Sequence, residues 1–320
     1  MTDETILVLT EPGDPQLATL ARKLSGTRIV AGDSIGAFAG ATADATVLCN
    51  WSGSLELFRS AFAMCPNLRW IHSRSVGLER TLFPELRESS VTLTNGSGVF
   101  SASLGEFTLG AILYFAKDFR RLVRQQMAGK WEAFDVTMVE RKTVGIVGYG
   151  DIGRAVAARV RPLGMKIVAL KRHTAHADPL VDRAFGPEQR AEMISLSDYI
   201  VVAAPLTEET RGMIGEAEFA AMKPTAVVIN VGRGPIIDEA AMVRALSEGR
   251  IRGAALDVFD VEPLPEGHPF YAMENVLLSP HSADHTPEWL DDAMELFIQQ
   301  FSRYRRGEPL LNVVDKKLGY

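Results

Sequence analysis

The sequence predicts an α/β protein built from two doubly wound parallel sheets, and three observations predict it. Short apolar runs alternate with segments whose apolar residues recur at three and four, first over the opening hundred or so residues and again from Thr143. Such alternation implies a parallel sheet with helices on both faces. The runs of the second series are almost continuously apolar, as expected of strands buried on both faces. A glycine-rich turn, GYGDIG, stands between the first strand and the first helix of that second series.

In the first series TILVLT, TRIVAG, ATVLCN, LRWIHS and VTLTNG read as strands, with PQLATLARKL and SLELFRSAFAM as helices between them. One long helix is expected from about Ser103 to Met127. The second series supplies the strands TVGIVG, KIVAL, YIVVAA, AVVIN, GAALDVF and NVLLS. Between them Asp238 can cap the helix EAAMVRALSEG and Gly249 can end it. A helix from about Pro287 to Arg305 follows, and then a polar tail whose LLNVV is expected to return to the first domain. The expected domains are residues 1–98 with 286–320, and residues 99–285.

The bulk composition narrows the function. The chain has 320 residues, 47% apolar and 23% charged, which suits a globular protein able to bury its core without disulfides. Its two cysteines, Cys49 and Cys65, form no CxxC pattern, so a reduced, cytoplasmic setting is expected and no metal site. The start MTDETILVLT lacks a signal peptide's basic and apolar regions, and no apolar run approaches the ~20 residues that span a bilayer. A net charge of −6 argues against nucleic acid and anionic membrane as partners. The basic stretch KDFRRLVR reads as a solvated helix face.

Gly148, Tyr149, Gly150, Asp151, Ile152 and Gly153 form the GYGDIG turn. The first glycine permits the tight turn, the second lets backbone approach a pyrophosphate, and the third lets helix and strand pack closely. The pyrophosphate would meet free amides and the positive end of the helix dipole. With a strand before and a helix after, the motif points to a dinucleotide. About twenty residues on, where an acid would bind the ribose hydroxyls of NAD, the strand KIVAL runs into Lys171, Arg172 and His173. Two cations suit a 2′-phosphate, so NADP(H) is favoured and NAD(H) remains open. The alternative is that Lys171 and Arg172 are surface charges.

The carboxyl edge of such a sheet is where ligands bind, and three functional groups lie at successive strand ends: Arg233 after AVVIN, Glu262 after GAALDVF and His281 after NVLLS. An arginine can hold a carboxylate and polarise a carbonyl, a histidine can exchange a proton near neutral pH, and a carboxylate beside it can fix the ring. Together they suit hydride transfer at C2 of a 2-keto or 2-hydroxy acid.

The stretches VVAAPLTEETRGMIG, INVGRGPIIDEAAMVRAL, GAALDVFDVEPLPEGHPFY and NVLLSPHSA, in this order with GYGDIG upstream, resemble the D-isomer-specific 2-hydroxyacid dehydrogenase family, including its glyoxylate/hydroxypyruvate reductase-like members. NGSGVFSASLGEFTLG resembles the family's crossover into the cofactor domain. The resemblance implies a Rossmann cofactor domain, 99–285, inserted in a flavodoxin-like substrate domain, 1–98 with 286–320. It implies that Arg233 binds the substrate carboxylate and carbonyl, that His281 is the acid/base and that Glu262 is its partner. Asp257 would contact the nicotinamide carboxamide. Ala204, Pro205, Thr210, Val231 and Gly232 would line the cofactor, with Ser282 and Ala283 near the nicotinamide. SRSVGLE resembles the loop whose backbone amides receive the carboxylate, which singles out Ser75, Val76 and Gly77, and Trp51 falls on a loop that faces the substrate side chain. A homodimer is expected, with the helix from about Ser103 as an interface element, and a D-hydroxy acid product. Two departures bear on this: no acid follows KIVAL, which puts NAD use in doubt, and Gly232 stands where many relatives have Ala or Ser. Formate dehydrogenases, which share the fold, place Gln in the role that falls to Glu262 in this chain. The competing reading is a nicotinamide-sensing, corepressor-like binding protein, which an intact Arg/Glu/His set does not exclude.

Overall fold

The computed structural model describes residues 4–79, 81–172 and 177–320. The chain divides into two compact units, Met1–Val99 with Thr286–Tyr320, and Phe100–His285.

The first unit is a five-stranded parallel sheet. Its strands are β1 (Thr5–Leu9), β2 (Arg28–Gly32), β3 (Ala45–Asn50), β4 (Trp70–Ser73) and β5 (Thr92–Thr94), in the order β2-β1-β3-β4-β5. All five side chains of β1 are buried, as its central place requires. Helices α1 (Gln16–Lys23), α2 (Leu55–Met64) and α3 (Pro84–Glu88) connect the strands. The Ser54 hydroxyl starts α2 by accepting the Leu57 amide at 3.1 Å, the usual role of a serine N-cap. The C-terminal helix Trp289–Arg305 packs Phe297 against Trp70, with ring centroids 5.4 Å apart. The tail then returns to the sheet: Val314 donates its amide to the Leu93 carbonyl at 2.9 Å, and Thr94 and Val313 form an antiparallel bridge.

The second unit opens with α4 (Ser101–Lys117) and α5 (Phe119–Met127). The single long helix expected there is two. Asp118 adopts a left-handed φ of 51°, which ends α4, and its carboxylate starts α5 by accepting the Arg121 amide. Then follow β6 (Thr143–Val147), α6 (Asp151–Val160), β7 (Lys166–Leu170), β8 (Arg183–Phe185), α7 (Arg190–Leu196), β9 (Tyr199–Val202), α8 (Glu216–Ala221), β10 (Val227–Asn230), α9 (Glu239–Ser247), β11 (Gly253–Leu256) and β12 (Val276–Leu278). The seven strands are parallel, in the order β12-β11-β10-β9-β6-β7-β8. The chain winds outward one way from β6 and then the other way from β9, so β6 and β9 flank the switch point where such sheets bind ligands. The β8 strand, three residues at the edge, has too short an apolar run to read in the sequence. Asp238 caps α9 by accepting the Ala241 amide at 2.9 Å, and Gly249, at φ 66°, follows its end. No described helix is long and apolar enough to cross a membrane.

One buried polar group makes the first unit sensitive to acid. His72 on β4 is fully buried, and its Nδ1 pairs with Thr94 Oγ1 at 2.9 Å. Burial lowers its pKa to about 3. A folded pKa below the unfolded one means that the unfolded chain binds the extra proton first. Stability is therefore unaffected above the unfolded value, about 6.5, and falls as pH drops below it. From pH ~7 to ~5 the loss is about 2 kcal/mol, on the scale of about 1.4 kcal/mol per pKa unit. Denaturant titrations at the two pH values should show a correspondingly smaller loss for His72→Gln; equal losses would show that His72 is not the group responsible.

Candidate active site

The GYGDIG turn is set by close backbone contacts. At Gly148, φ 91°, a Cβ would lie 2.5 Å from the Cα of Ala204, just past the end of β9. At Gly153 a Cβ would lie 2.5 Å from the Gly148 carbonyl oxygen, so only glycine lets α6 pack on the turn. At Gly150 a Cβ would meet nothing within 4 Å, and that open side is where a ligand can approach the backbone. The amides of Gly150 and Ile152 have no acceptor among the described residues, at the positive end of α6. Burial, and then the nearby Asp178 carboxylate, push the Tyr149 phenol up to about 12.

Beyond β7, Lys171 Nζ lies 5.9 Å from the Tyr149 ring centroid, and Arg172 pairs with Glu209 Oε2 at 2.6 Å. Sequence reasoning missed Glu209 as the arginine's counter-ion. An exposed pair of this kind contributes at most about 1 kcal/mol, so an incoming anion can displace it. His173 lies outside the described residues. Thr210 turns inward on its own loop: its hydroxyl donates to the Pro205 carbonyl at 2.7 Å and accepts the Thr207 amide at 2.8 Å. It therefore shapes the segment that starts at Pro205, which is exposed.

The strand-end groups are tied down by neighbouring polar side chains. After β10, Asn230 accepts the Gly232 amide and donates to the Arg233 carbonyl, both at 3.1 Å, which fixes the turn through the buried residues Val231 and Gly232. Arg233, half-buried, donates Nη1 to the Gly232 carbonyl at 2.8 Å. At Gly234 a Cβ would fall 2.0 Å from the backbone of Phe259, so the loop bearing Arg233 lies directly against the loop that follows β11. That second loop carries Glu262, whose Oε1 accepts the Phe259 amide at 3.0 Å and whose Oε2 meets His281 Nδ1 at 2.7 Å. Both carboxylate oxygens are thus engaged, and the imidazole is oriented with Nε2 left for other partners. His281 adopts a left-handed φ of 51°, unusual for a histidine and of the kind that clusters at functional sites. Asp257, almost fully buried, holds that bend by accepting the Ser282 and Ala283 amides on Oδ1 at 3.0 and 3.1 Å. Ser103 of α4 donates to the Ala283 carbonyl. Asn230 and the backbone role of Asp257 were not legible in the sequence.

In the first unit, the Ser75 carbonyl accepts the Gly96 amide at 3.3 Å and the Val76 carbonyl accepts Asn95 Nδ2 at 3.2 Å. The amides of Ser75, Val76 and Gly77 have no acceptor among the described residues. The loop is pinned through two of its carbonyls, and its three successive N–H groups are donors that no described residue uses. Trp51 differs from the expectation that it faces a ligand. It is 2% exposed, and its Nε1 donates to Asp14 Oδ2 at 2.9 Å, because a buried indole N–H needs an acceptor. Arg74, which the sequence reading passed over although it adjoins these amides, lies over the Trp51 ring at 5.1 Å.

This geometry agrees with comparisons to known proteins. Residues 109–283 match the NAD binding domain of the D-isomer specific 2-hydroxyacid dehydrogenase family. The chain is 34% identical over 269 residues to a glyoxylate reductase of Korarchaeum cryptofilum, covering 80% of this chain and 79% of the relative. Among solved structures it is similar to a D-isomer specific 2-hydroxyacid dehydrogenase of Xanthobacter autotrophicus Py2 in complex with NADPH and MES, with a TM-score of 0.87, 29% identity and all of both chains covered. It is also similar to an NADPH-dependent glyoxylate/hydroxypyruvate reductase of Sinorhizobium meliloti in complex with NADP and sulfate, with a TM-score of 0.85, 25% identity, and 99% of this chain and 100% of that one covered. With its motifs, its two parallel sheets and these likenesses in agreement, the chain belongs to the D-isomer specific 2-hydroxyacid dehydrogenase family.

Proposed function

We propose that this chain is an NAD(P)-dependent reductase of small 2-keto acids, with glyoxylate and hydroxypyruvate as first candidate substrates and NADP(H) favoured over NAD(H). The observation that carries the reading is the Glu262–His281 contact at 2.7 Å, with Arg233 on the adjoining loop. The named activity of the Korarchaeum relative and the NADP(H) complexes of the Xanthobacter and Sinorhizobium proteins support it. A purely dinucleotide-sensing protein is not favoured, because these relatives are named as enzymes.

The GYGDIG turn fits a dinucleotide: Gly150 is open on its outer side and the Gly150 and Ile152 amides are free. Gly148 to Gly153 would hold the pyrophosphate, and Lys171 and Arg172 the 2′-phosphate, with Glu209 displaced. Ala204, Pro205, Val231 and Gly232 would line the cofactor, and Asp257 would meet the carboxamide through Oδ2, which has no partner among the described residues. When bound, the reduced nicotinamide supplies the hydride. Arg233 holds the substrate carboxylate and polarises the C2 carbonyl, a task that a rigid guanidinium fork performs better than a lysine. The Ser75, Val76 and Gly77 amides receive the carboxylate. His281 gives a proton from Nε2 to the carbonyl oxygen as C2 gains the hydride, leaving a hydroxyl. Glu262 accepts a hydrogen bond from Nδ1–H and keeps the ring in that orientation. The product expected is the D-hydroxy acid.

Loss of the reduced cofactor's near-ultraviolet absorbance with glyoxylate or hydroxypyruvate tests the reaction. His281→Ala should lower kcat/KM by ~10²–10⁴-fold, the usual worth of general acid–base catalysis. Wild-type turnover in that variant would remove the assignment. Replacing both Lys171 and Arg172 by Ala should raise KM for NADPH about tenfold or more, the scale of a lost charge-assisted hydrogen bond, and leave KM for NADH nearly unchanged. An equal rise for both cofactors would count against the phosphate role.

We also propose a homodimer in the cytoplasm. No residue of α5 is buried in the single chain, and Met127 and Trp131 are 84% and 101% exposed, with Leu122, Val123 and Met138 exposed beside them in sequence. Apolar surface of this kind calls for a covering partner, and α5 ends the segment expected to lie at the interface. Both cysteines are free and buried, which fits a reducing compartment. Light scattering should give twice the chain mass for the wild type and the chain mass for Val123→Asp combined with Met127→Asp. A monomeric wild type at micromolar concentration would overturn the dimer.

A further inference from the structure

Arg74 follows β4 and immediately precedes the free amides of Ser75, Val76 and Gly77. Its guanidinium carbon lies 5.1 Å from the Trp51 ring centroid and 5.0 Å from that of Trp289, the first residue of the C-terminal helix. The side chain is half-buried, yet it makes no hydrogen bond or ion pair with any described residue. Asp14 does not take that role. Its Oδ2 accepts Trp51 Nε1 and Thr10 Oγ1, both at 2.9 Å, and its Oδ1 accepts the Gln16 amide at 3.0 Å. Burial lowers the arginine's pKa, with the Asp14 and Cys49 charges acting in the opposite direction. Arg74 is thus a half-buried cation whose charge faces two rings, and none of its five N–H donors meets an acceptor among the described residues. A partly buried charge is normally matched by a hydrogen-bonded acceptor, and here the described residues supply none.

We propose that Arg74 is a specificity-determining residue for the substrate's C3 substituent, donating to an oxygen carried there, so that 3-hydroxy-2-keto acids are preferred over their alkyl analogues. The proposal rests on the reading of the Ser75 to Gly77 amides as the carboxylate seat. Arg74 and Val76 are two residues apart, at most about 7 Å of backbone, so the arginine's main chain lies within one such span of a three-carbon acid seated on these amides. The two indoles fix the guanidinium, so little side-chain freedom remains to be lost when an oxygen binds it.

The test compares hydroxypyruvate with pyruvate, which differs from it only in lacking the C3 hydroxyl, using the full chain, NADPH and the variants Arg74→Met and Arg74→Lys. The hydroxypyruvate-to-pyruvate ratio of kcat/KM should fall tenfold or more in Arg74→Met. That scale follows because a donor built to meet a hydroxyl discriminates against an analogue without one. Arg74→Lys, which keeps the charge and loses the planar fork, should lower the ratio about threefold or more. It carries the test should the Met variant fail to fold. A ratio within about twofold of the wild type, or an equal fall for both acids, would overturn the proposal while leaving the reductase reading intact. Failure of the wild type to reduce any 2-keto acid would overturn that reading and this proposal with it.

Discussion

Much of the second unit's ligand-binding edge depends on backbone approaching backbone more closely than a side chain permits. Gly148 lies against Ala204, Gly153 against Gly148, and Gly234 against Phe259, each at a distance where a Cβ would overlap main-chain or neighbouring atoms. Main chain, unlike the end of a flexible side chain, has no rotamer by which to yield. The first two contacts bring α6, β6 and the end of β9 together, at a turn where the amides of Gly150 and Ile152 have no acceptor among the described residues. The third brings the Arg233 loop against the Glu262 loop. The chemistry is therefore assembled by removing side chains at a few positions as much as by placing functional ones.

Once the loops are close, polar side chains fix them by bonding to backbone. Asn230 spans the turn before Arg233, Glu262 takes the Phe259 amide, and Asp257 takes the Ser282 and Ala283 amides. These bonds explain how His281 can hold a left-handed φ, a conformation that costs on the order of 1–3 kcal/mol unless its surroundings over-determine it. Glu262 serves two purposes at once. One oxygen secures the backbone of its own loop and the other orients the imidazole, so a change there would disturb both the loop and the ring.

How much of this could be read from the sequence follows from the range of each interaction. The two parallel sheets were legible because buried strands leave continuous apolar runs, and the cofactor turn because its glycines are local to one strand–helix junction. Arg233, Glu262 and His281 were legible as strand-end residues, since strand order puts such ends on one edge. The break at Asp118 was not, because the apolar periodicity continues across it and only the left-handed backbone separates α4 from α5. The burial of Trp51 was not, because it depends on Asp14 and Arg74, residues distant from it in the sequence. Glu209 was equally hidden, being joined to Arg172 only through the fold.

Strand β4 carries two titratable groups near its end, and they illustrate why burial sorts residues by chemistry. His72 is fully enclosed and can shed its proton, so burial is met by neutrality, with its pKa down at about 3 and one hydroxyl as partner. Arginine is not deprotonated in proteins, so that route is closed to Arg74 two residues later. The charge must stay and find compensation, and the fold offers two indole faces and a carboxylate whose oxygens are already committed. Ring faces satisfy the charge but not the N–H donors. A fold indifferent to ligand could have placed a leucine or methionine between those tryptophans and filled the space with less electrostatic cost. In the proposed reading the retained cation, beside three amides with no acceptor among the described residues, is half of an interaction whose other half arrives with the substrate.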